Sequence, residues 1–187
     1  MAIRKVSRMG HPVLREKARP LTEAEIRTPD IQRLIDDMFE TMGEYQGIGL
    51  AAPQVYEGLR IFVAGNDADL PLADLSDDGP MPRVALINPE LTQVGRVVET
   101  DWEGCLSIPD IRGQVPRAKD ILVRALDREG RRVEFRASGF PARVIQHETD
   151  HLDGVLFFDR MRSFETLSYL DEYQRYWLTE DEDEDEE

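Results

Sequence analysis

The sequence predicts an α+β fold in which antiparallel β-sheets pack around a central metal-binding helix, with an amphipathic helix near the N-terminus and a further helix at the C-terminus. Three observations predict it. Strand-like runs follow one another between residues 60 and 137 without regular alternation with helices, which argues against a doubly wound parallel sheet. An apolar stripe of helical period precedes them, and the pattern His-Glu-x-x-His follows them inside a second apolar run.

In chain order, residues 1–27 are mixed, with Gly10-His11-Pro12 marking a turn and Val13-Leu14 an apolar pair. A His before Pro in a turn reads as a surface or capping residue. Thr28-Pro29-Asp30 starts a helix: a capping hydroxyl, Pro at the first helical position and an acid near the positive end of the dipole. Ile31, Leu34, Ile35, Met38, Phe39 and Met42 then form the stripe that packs on the core, and Gly43 or Gly47 ends it. In Gly47-Ile48-Gly49-Leu50-Ala51-Ala52-Pro53-Gln54-Val55, two glycines and two alanines crowd together, which predicts a close approach to this backbone. It is not a phosphate loop, because the terminal Gly-Lys-Ser/Thr is missing.

Residues 60–64 and 84–87 read as short strands separated by a surface loop, 65–83, rich in Asp, Pro and Gly. Residues 91–100 read as a further strand, and 120–126 with 131–137 as a hairpin joined by Asp127-Arg128-Glu129-Gly130. The run 140–152 reads as a helix, with Ser138 as N-cap, Pro141 in the first turn, Val144, Ile145, Glu148 and Leu152 at helical spacing, and Gly154 as the stop. Four residues advance about 400° and about 6 Å along a helix, so His147 and His151 project from one face where both imidazoles can reach one cation. Phe164, Leu167, Leu170, Tyr173 and Trp177 sketch a C-terminal helix over 163–178.

At 187 residues with 41% hydrophobic content, the chain can bury one core. Its net charge of -15 argues against a nucleic-acid backbone as main partner, and residues 180–187 are eight consecutive acids. Without those eight, 30 acids face 23 bases, a net of -7, so the body is only moderately acidic. Residues 1–178 are expected to form a single catalytic domain and 179–187 a solvated, disordered tail. The single cysteine, Cys105, excludes an intramolecular disulfide, and the first residues lack the apolar core of a signal peptide. With no apolar run of the roughly 20 residues that span a bilayer, a reducing cytoplasm is the expected location and a membrane is not an expected partner.

Two imidazoles leave a metal under-coordinated, since catalytic zinc-like sites use three protein ligands and keep a position for water. Cys105, the only thiol, is the candidate third ligand, although a lone buried Cys is commonly just a small hydrophobe. Three ordered blocks decide between these readings: Gly47-Ile48-Gly49-Leu50-Ala51-Ala52-Pro53-Gln54, Glu103-Gly104-Cys105-Leu106-Ser107, and Gln146-His147-Glu148-Thr149-Asp150-His151. Together with Val115-Pro116-Arg117 and Leu152-Asp153-Gly154, the chain resembles the peptide deformylases from about Lys5 to about Met161.

The resemblance implies a metallohydrolase that removes the N-formyl group from the initiator methionine of nascent polypeptides. It implies that Cys105, His147 and His151 hold one metal, Fe2+, with Zn2+, Ni2+ or Co2+ as substitutes. A metal so held makes hydroxide available from its water at neutral pH, and Glu148 serves as general base and then general acid towards the leaving amine. The family assigns the oxyanion to donors matching the Gln54 amide and the Leu106 backbone N–H, each worth about 3 kcal/mol. Ile48, Val144 and His147 match positions lining the methionine pocket, Gly49 admits the substrate backbone in strand-like pairing, and Arg112 matches a substrate-contacting arginine. Transient contact with the ribosome is also implied, without sequence-specific nucleic-acid binding. The acidic tail departs from the basic terminal helix of related bacterial enzymes. Two rival readings are a His-Glu-x-x-His metallopeptidase, whose third ligand would come from downstream, as Glu165 or Glu172, and a non-catalytic metal-stabilised protein.

Overall fold

Residues 2–67, 70–77 and 79–178 are described by a computed structural model of the chain. In chain order its helices are α1 (Glu23–Ile26), α2 (Pro29–Glu44), α3 (Gly139–Leu152), α4 (Phe157–Arg160) and α5 (Leu170–Tyr176). Its strands are β1 (Gly49–Ala51), β2 (Ile61–Ala64), β3 (Val84–Cys105), β4 (Ile108–Leu126), β5 (Arg132–Ser138) and β6 (Ser168–Tyr169).

Strand β2 shows how the layers are set. Successive side chains of a strand point to opposite faces, and here both faces are buried. Phe62 and Ala64 join Val144, Ile145 and Leu152 of α3 in one apolar cluster. Ile61 and Val63 join Leu34, Ile35 and Met38 of α2 in another. The sheet therefore lies between the two amphipathic helices, and full burial of side chains such as Ile35 or Met38 contributes about 1.5–3 kcal/mol each. A third cluster, with Leu14, Cys105, Val115, Leu156 and Phe157, closes the end of α3 that carries His151.

The strands run in the order β1-β2-β3-β4-β5 with every neighbouring pair antiparallel, and β6 adds to β4. The expected strands at 84–87 and 91–100 are one continuous strand, β3, that reaches Cys105. Its register shifts after Ile87, where Asn88 takes a left-handed φ of 52° and its side-chain amide bonds both the N–H and the C=O of Leu21. This bulge keeps the strand in the sheet past Pro89. A further shift lies between Glu103 and Cys105, and the two-residue turn Leu106-Ser107 leads into β4.

Helix α2 starts at Pro29 as expected, but Thr28 does not cap it: its hydroxyl donates to the Glu25 carbonyl at 2.7 Å instead. At α3 the expected Ser138 cap is likewise absent, and Asp77 accepts from the Phe140 N–H at 2.7 Å. That carboxylate comes from the stretch 65–83, which is more than a surface loop, since Leu75 and Met81 are buried and Leu75 bridges Ala137. The expected helix over 163–178 is shortened to α5, because residues 168 and 169 pair with Arg112 and Ile111 on β4 before the helix begins. Residues 1–27 also count for more than their composition suggests: Val6 and Ser7 are buried, and the Ser7 N–H donates to the Gln54 carbonyl at 2.7 Å. The expected acidic tail lies outside the described residues. Among the described residues, no helix is long and apolar enough to cross a membrane.

Candidate metal centre

Helix α3 presents His147 and His151 one turn apart, with ring centroids 4.9 Å from each other. Cys105, at the last position of β3, brings its sulfur to 3.3 Å from His151 Nε2. The ligand atoms of Cys105, His147 and His151 all lie within 4.8 Å of one another, and all three residues are buried. One thiol and two imidazoles converging at this spacing fit a divalent transition metal with room for a further ligand.

Two buried atoms next to these donors have no hydrogen-bond partner among the described residues: Glu148 Oε2 and His151 Nδ1. An unpaired buried carboxylate oxygen is costly unless a ligand meets it. Burial pushes the Glu148 carboxyl up to about 7, with negative charge on Glu103 adding to the rise and His147 opposing it. A carboxyl poised there can accept and release a proton near neutral pH.

Glycines make room for this carboxylate. A Cβ on Gly49 would fall on the Glu148 carboxylate, and one on Gly47 would meet Leu106 Cδ1 at 3.0 Å. The close approach expected from the Gly47-Ile48-Gly49 sequence is thus made by these two side chains. Gln54 is fixed at its other end: its Oε1 accepts from the Ala51 N–H at 2.8 Å, which turns Nε2 towards Cys105 Sγ at 3.6 Å and Ser107 Oγ at 3.2 Å. A donor is therefore aimed at the donor cluster.

Behind the cluster stands a charged network. Glu103 Oε2 accepts from His147 Nδ1 at 2.8 Å, and because a carboxylate only accepts, Nδ1 carries a proton and Nε2 is the ring nitrogen left to meet a cation. Arg117 grips Glu103 at both oxygens, at 2.8 and 3.0 Å, and also bonds Asp150, which Arg160 holds from the other side. Arg143 donates to Glu103 Oε1 at 2.9 Å, to the Val115 carbonyl at 2.7 Å and to the Glu99 carbonyl at 2.9 Å. Burial alone would raise the Glu103 carboxyl, yet hydrogen bonds from Arg117 and His147 hold it well below the usual carboxylate range. Burial opposes a charged His147 as well, but interaction with Cys105 and Glu103 lifts its pKa far above the ordinary imidazole value, so a cation at this site would take the place of the proton on Nε2. His151 is driven the other way, by burial first and then by the positive charge of His147.

All the expected site residues except His151 line one cleft of about 670 Å³: Ile48, Gly49, Gln54, Cys105, Leu106, Arg112, Val144, His147 and Glu148. His151 lies behind it, 1% exposed. Glu103, Arg117, Arg143 and Ser107 belong to the site although no motif in the sequence assigns them a role. Glu103 and Ser107 stand inside the Glu103-Gly104-Cys105-Leu106-Ser107 block, and Arg117 inside Val115-Pro116-Arg117, so the signal for three of the four was present as position.

A family model described as Polypeptide deformylase matches residues 3–166. The chain is 42% identical over 180 residues to Peptide deformylase 1 of Prochlorococcus marinus (strain MIT 9313), covering 96% of this chain and 92% of that protein. It is also 42% identical over 170 residues to Peptide deformylase 1 of Bordetella pertussis (strain Tohama I), covering 90% and 93%. Among solved structures, peptide deformylase from Thermotoga maritima aligns with a TM-score of 0.75 at 39% identity, covering 87% of this chain and 100% of that one. A class I type b peptide deformylase from Acinetobacter baumannii, solved with Met-ala-ser bound, aligns with a TM-score of 0.76 at 38% identity, covering 86% and 100%. The matched span holds every residue of the donor cluster and of the charged network behind it, and on that ground the chain belongs to the polypeptide deformylase family.

Proposed function

We propose that this deformylase, a hydrolase that removes the formyl group from nascent peptides, works through one divalent cation held by Cys105, His147 and His151. When bound there, the cation polarises the formyl carbonyl and lowers the pKa of a water molecule. Ferrous iron is the metal the family resemblance favours, with zinc, nickel or cobalt as substitutes; affinity order alone favours zinc over ferrous iron at such donors.

The chain's own residues then divide the work. Glu148 takes the proton from the attacking water and passes it to the amine nitrogen, which a formamide needs because an amide anion is too poor a leaving group. The Gln54 Nε2 and the Leu106 backbone N–H donate to the formyl oxygen as negative charge develops on it. Ile48 and Val144 flank the methionine side chain beside His147, Gly49 on β1 pairs with the peptide backbone, and Arg112 meets the peptide at the rim. Glu103 holds His147 in the tautomer that leaves Nε2 free.

The observation that carries this reading is Glu148, a buried carboxylate with an unpaired oxygen, set beside three converging donors. The peptide-bound relative from Acinetobacter baumannii supports a peptide in the cleft. Among the described residues, the downstream carboxylates Glu165 and Glu172 stand outside the donor cluster, which argues against the metallopeptidase reading. Residues 1–178 are proposed to act as one catalytic unit in the cytoplasm, meeting the ribosome transiently.

Anaerobic purification with metal analysis, followed by a formate assay on formylated and unformylated methionyl peptides, tests the reading. Formate from the formylated peptide alone, with one metal per chain and no internal peptide cleavage, is expected. Cleavage of internal peptide bonds without formate would overturn it.

A further inference from the structure

The family match ends at residue 166, yet one wall of the cleft comes from beyond it: Leu170 lines the cleft. The approach to that position is built step by step. Thr166 Oγ1 accepts from the Gln114 N–H at 3.1 Å, Ser168 pairs with Arg112, and Tyr169 with Ile111, so the chain runs antiparallel along β4 towards the cleft. Helix α5 and the residue that ends it then lay Tyr173 and Trp177 on the Trp102 ring, with centroids 4.7 and 5.3 Å away. Trp102 itself lines the cleft, and so does Phe140, which is 50% exposed. No residue of α5 is buried. A segment that contributes nothing to the core but carries an apolar and aromatic surface to a ligand cleft is placed for contact rather than for stability.

We propose that this C-terminal arm, residues 168–177, is the outer wall of the peptide cleft, where Leu170 and the Trp102 ring grip apolar side chains of the peptide beyond its first residue. The inference rests on the deformylase reading and adds a specificity for peptide residues beyond the first. Apolar side chains at the third and fourth peptide positions gain contact with this wall, and a dipeptide is too short to profit from it.

Both tryptophans of the chain, Trp102 and Trp177, belong to the wall, so tryptophan emission, excited where tyrosine does not absorb, reports on it. With the full-length, metal-loaded protein, unformylated Met-Ala-Leu-Leu is expected to shift the emission and Met-Ala not to. On formylated substrates, Leu170→Ser should raise KM for the Met-Ala-Leu-Leu peptide about tenfold with kcat unchanged, and leave both constants for the dipeptide as they were. Tyr173→Phe, which keeps the aromatic contact on Trp102, should match the wild type. Equal constants for Leu170→Ser and wild type on the long peptide would overturn the proposal, and so would a parallel loss on the dipeptide, which marks a purely structural arm. Absence of formate from every peptide in the wild type would instead overturn the deformylase reading, while the fluorescence shift would still decide the wall.

Discussion

Gly49 and Glu148 are a matched pair, since the carboxylate occupies the space a side chain on residue 49 would take. Gly49→Ala should therefore displace the carboxylate while the surrounding core stays intact, and lower kcat by about 100-fold or more with metal content unchanged. Steady-state kinetics beside metal analysis check this; wild-type kcat in a metal-replete variant would show that Glu148 tolerates a different position. On the proposed reading Cys105 is a ligand rather than a nucleophile, because the imidazoles near its sulfur, His147 and His151, converge with it on one point instead of serving it as a base. Cys105→Ser is accordingly expected to weaken metal binding at least tenfold and to shift preference away from zinc, and a formyl-thioester trapped on Cys105 would contradict the ligand role. The His147, Glu148 and His151 arrangement was legible in the sequence because helical spacing is local. Glu103 was not, since its partners Arg117, Arg143 and His147 are 14, 40 and 44 residues away and only folding brings them together.

Three elements meet at Glu103, which joins the end of β3 to Arg117 on β4 and to Arg143 and His147 on α3. Its loss leaves two buried guanidinium groups without their shared counter-ion, and breaking such a buried pair costs about 3–5 kcal/mol. Glu103→Gln should lower unfolding free energy by roughly that amount in urea titrations and metal affinity by about 10–100-fold in chelator competition. Unchanged metal affinity in a folded variant would show that His147 holds its orientation without Glu103. The amphipathic stripe of α2 and the hairpin of β4 with β5 were legible because each repeats with its own period. Strand β3 joins two runs, 84–87 and 91–100, that look separate in the sequence, because its continuity depends on the side-chain amide of Asn88 meeting Leu21, 67 residues away. The C-terminal arm was read as one long helix because its apolar spacing says nothing of the free edge of β4 that captures residues 168 and 169.

Over the whole sequence, eight acids are gathered in residues 180–187, while the donor cluster is buried in the core. Like charges repel over a Debye length of about 8 Å at physiological salt, so we propose that these acids oppose association with an RNA-rich surface. Deleting 180–187 is expected to keep deformylation unchanged and to tighten ribosome binding at low salt in sedimentation assays. Weaker binding after the deletion would mean that the acids meet a basic ribosomal protein. The claim on which the rest depends is that Cys105, His147 and His151 hold the metal while Glu148 moves the proton. Its most direct test is formate release by anaerobically metal-loaded wild type and Glu148→Ala, measured with the metal content of each. One metal per chain in both, with formate release by the variant lower by about a thousandfold, is the predicted result; a metal-replete variant that releases formate at the wild-type rate would contradict it.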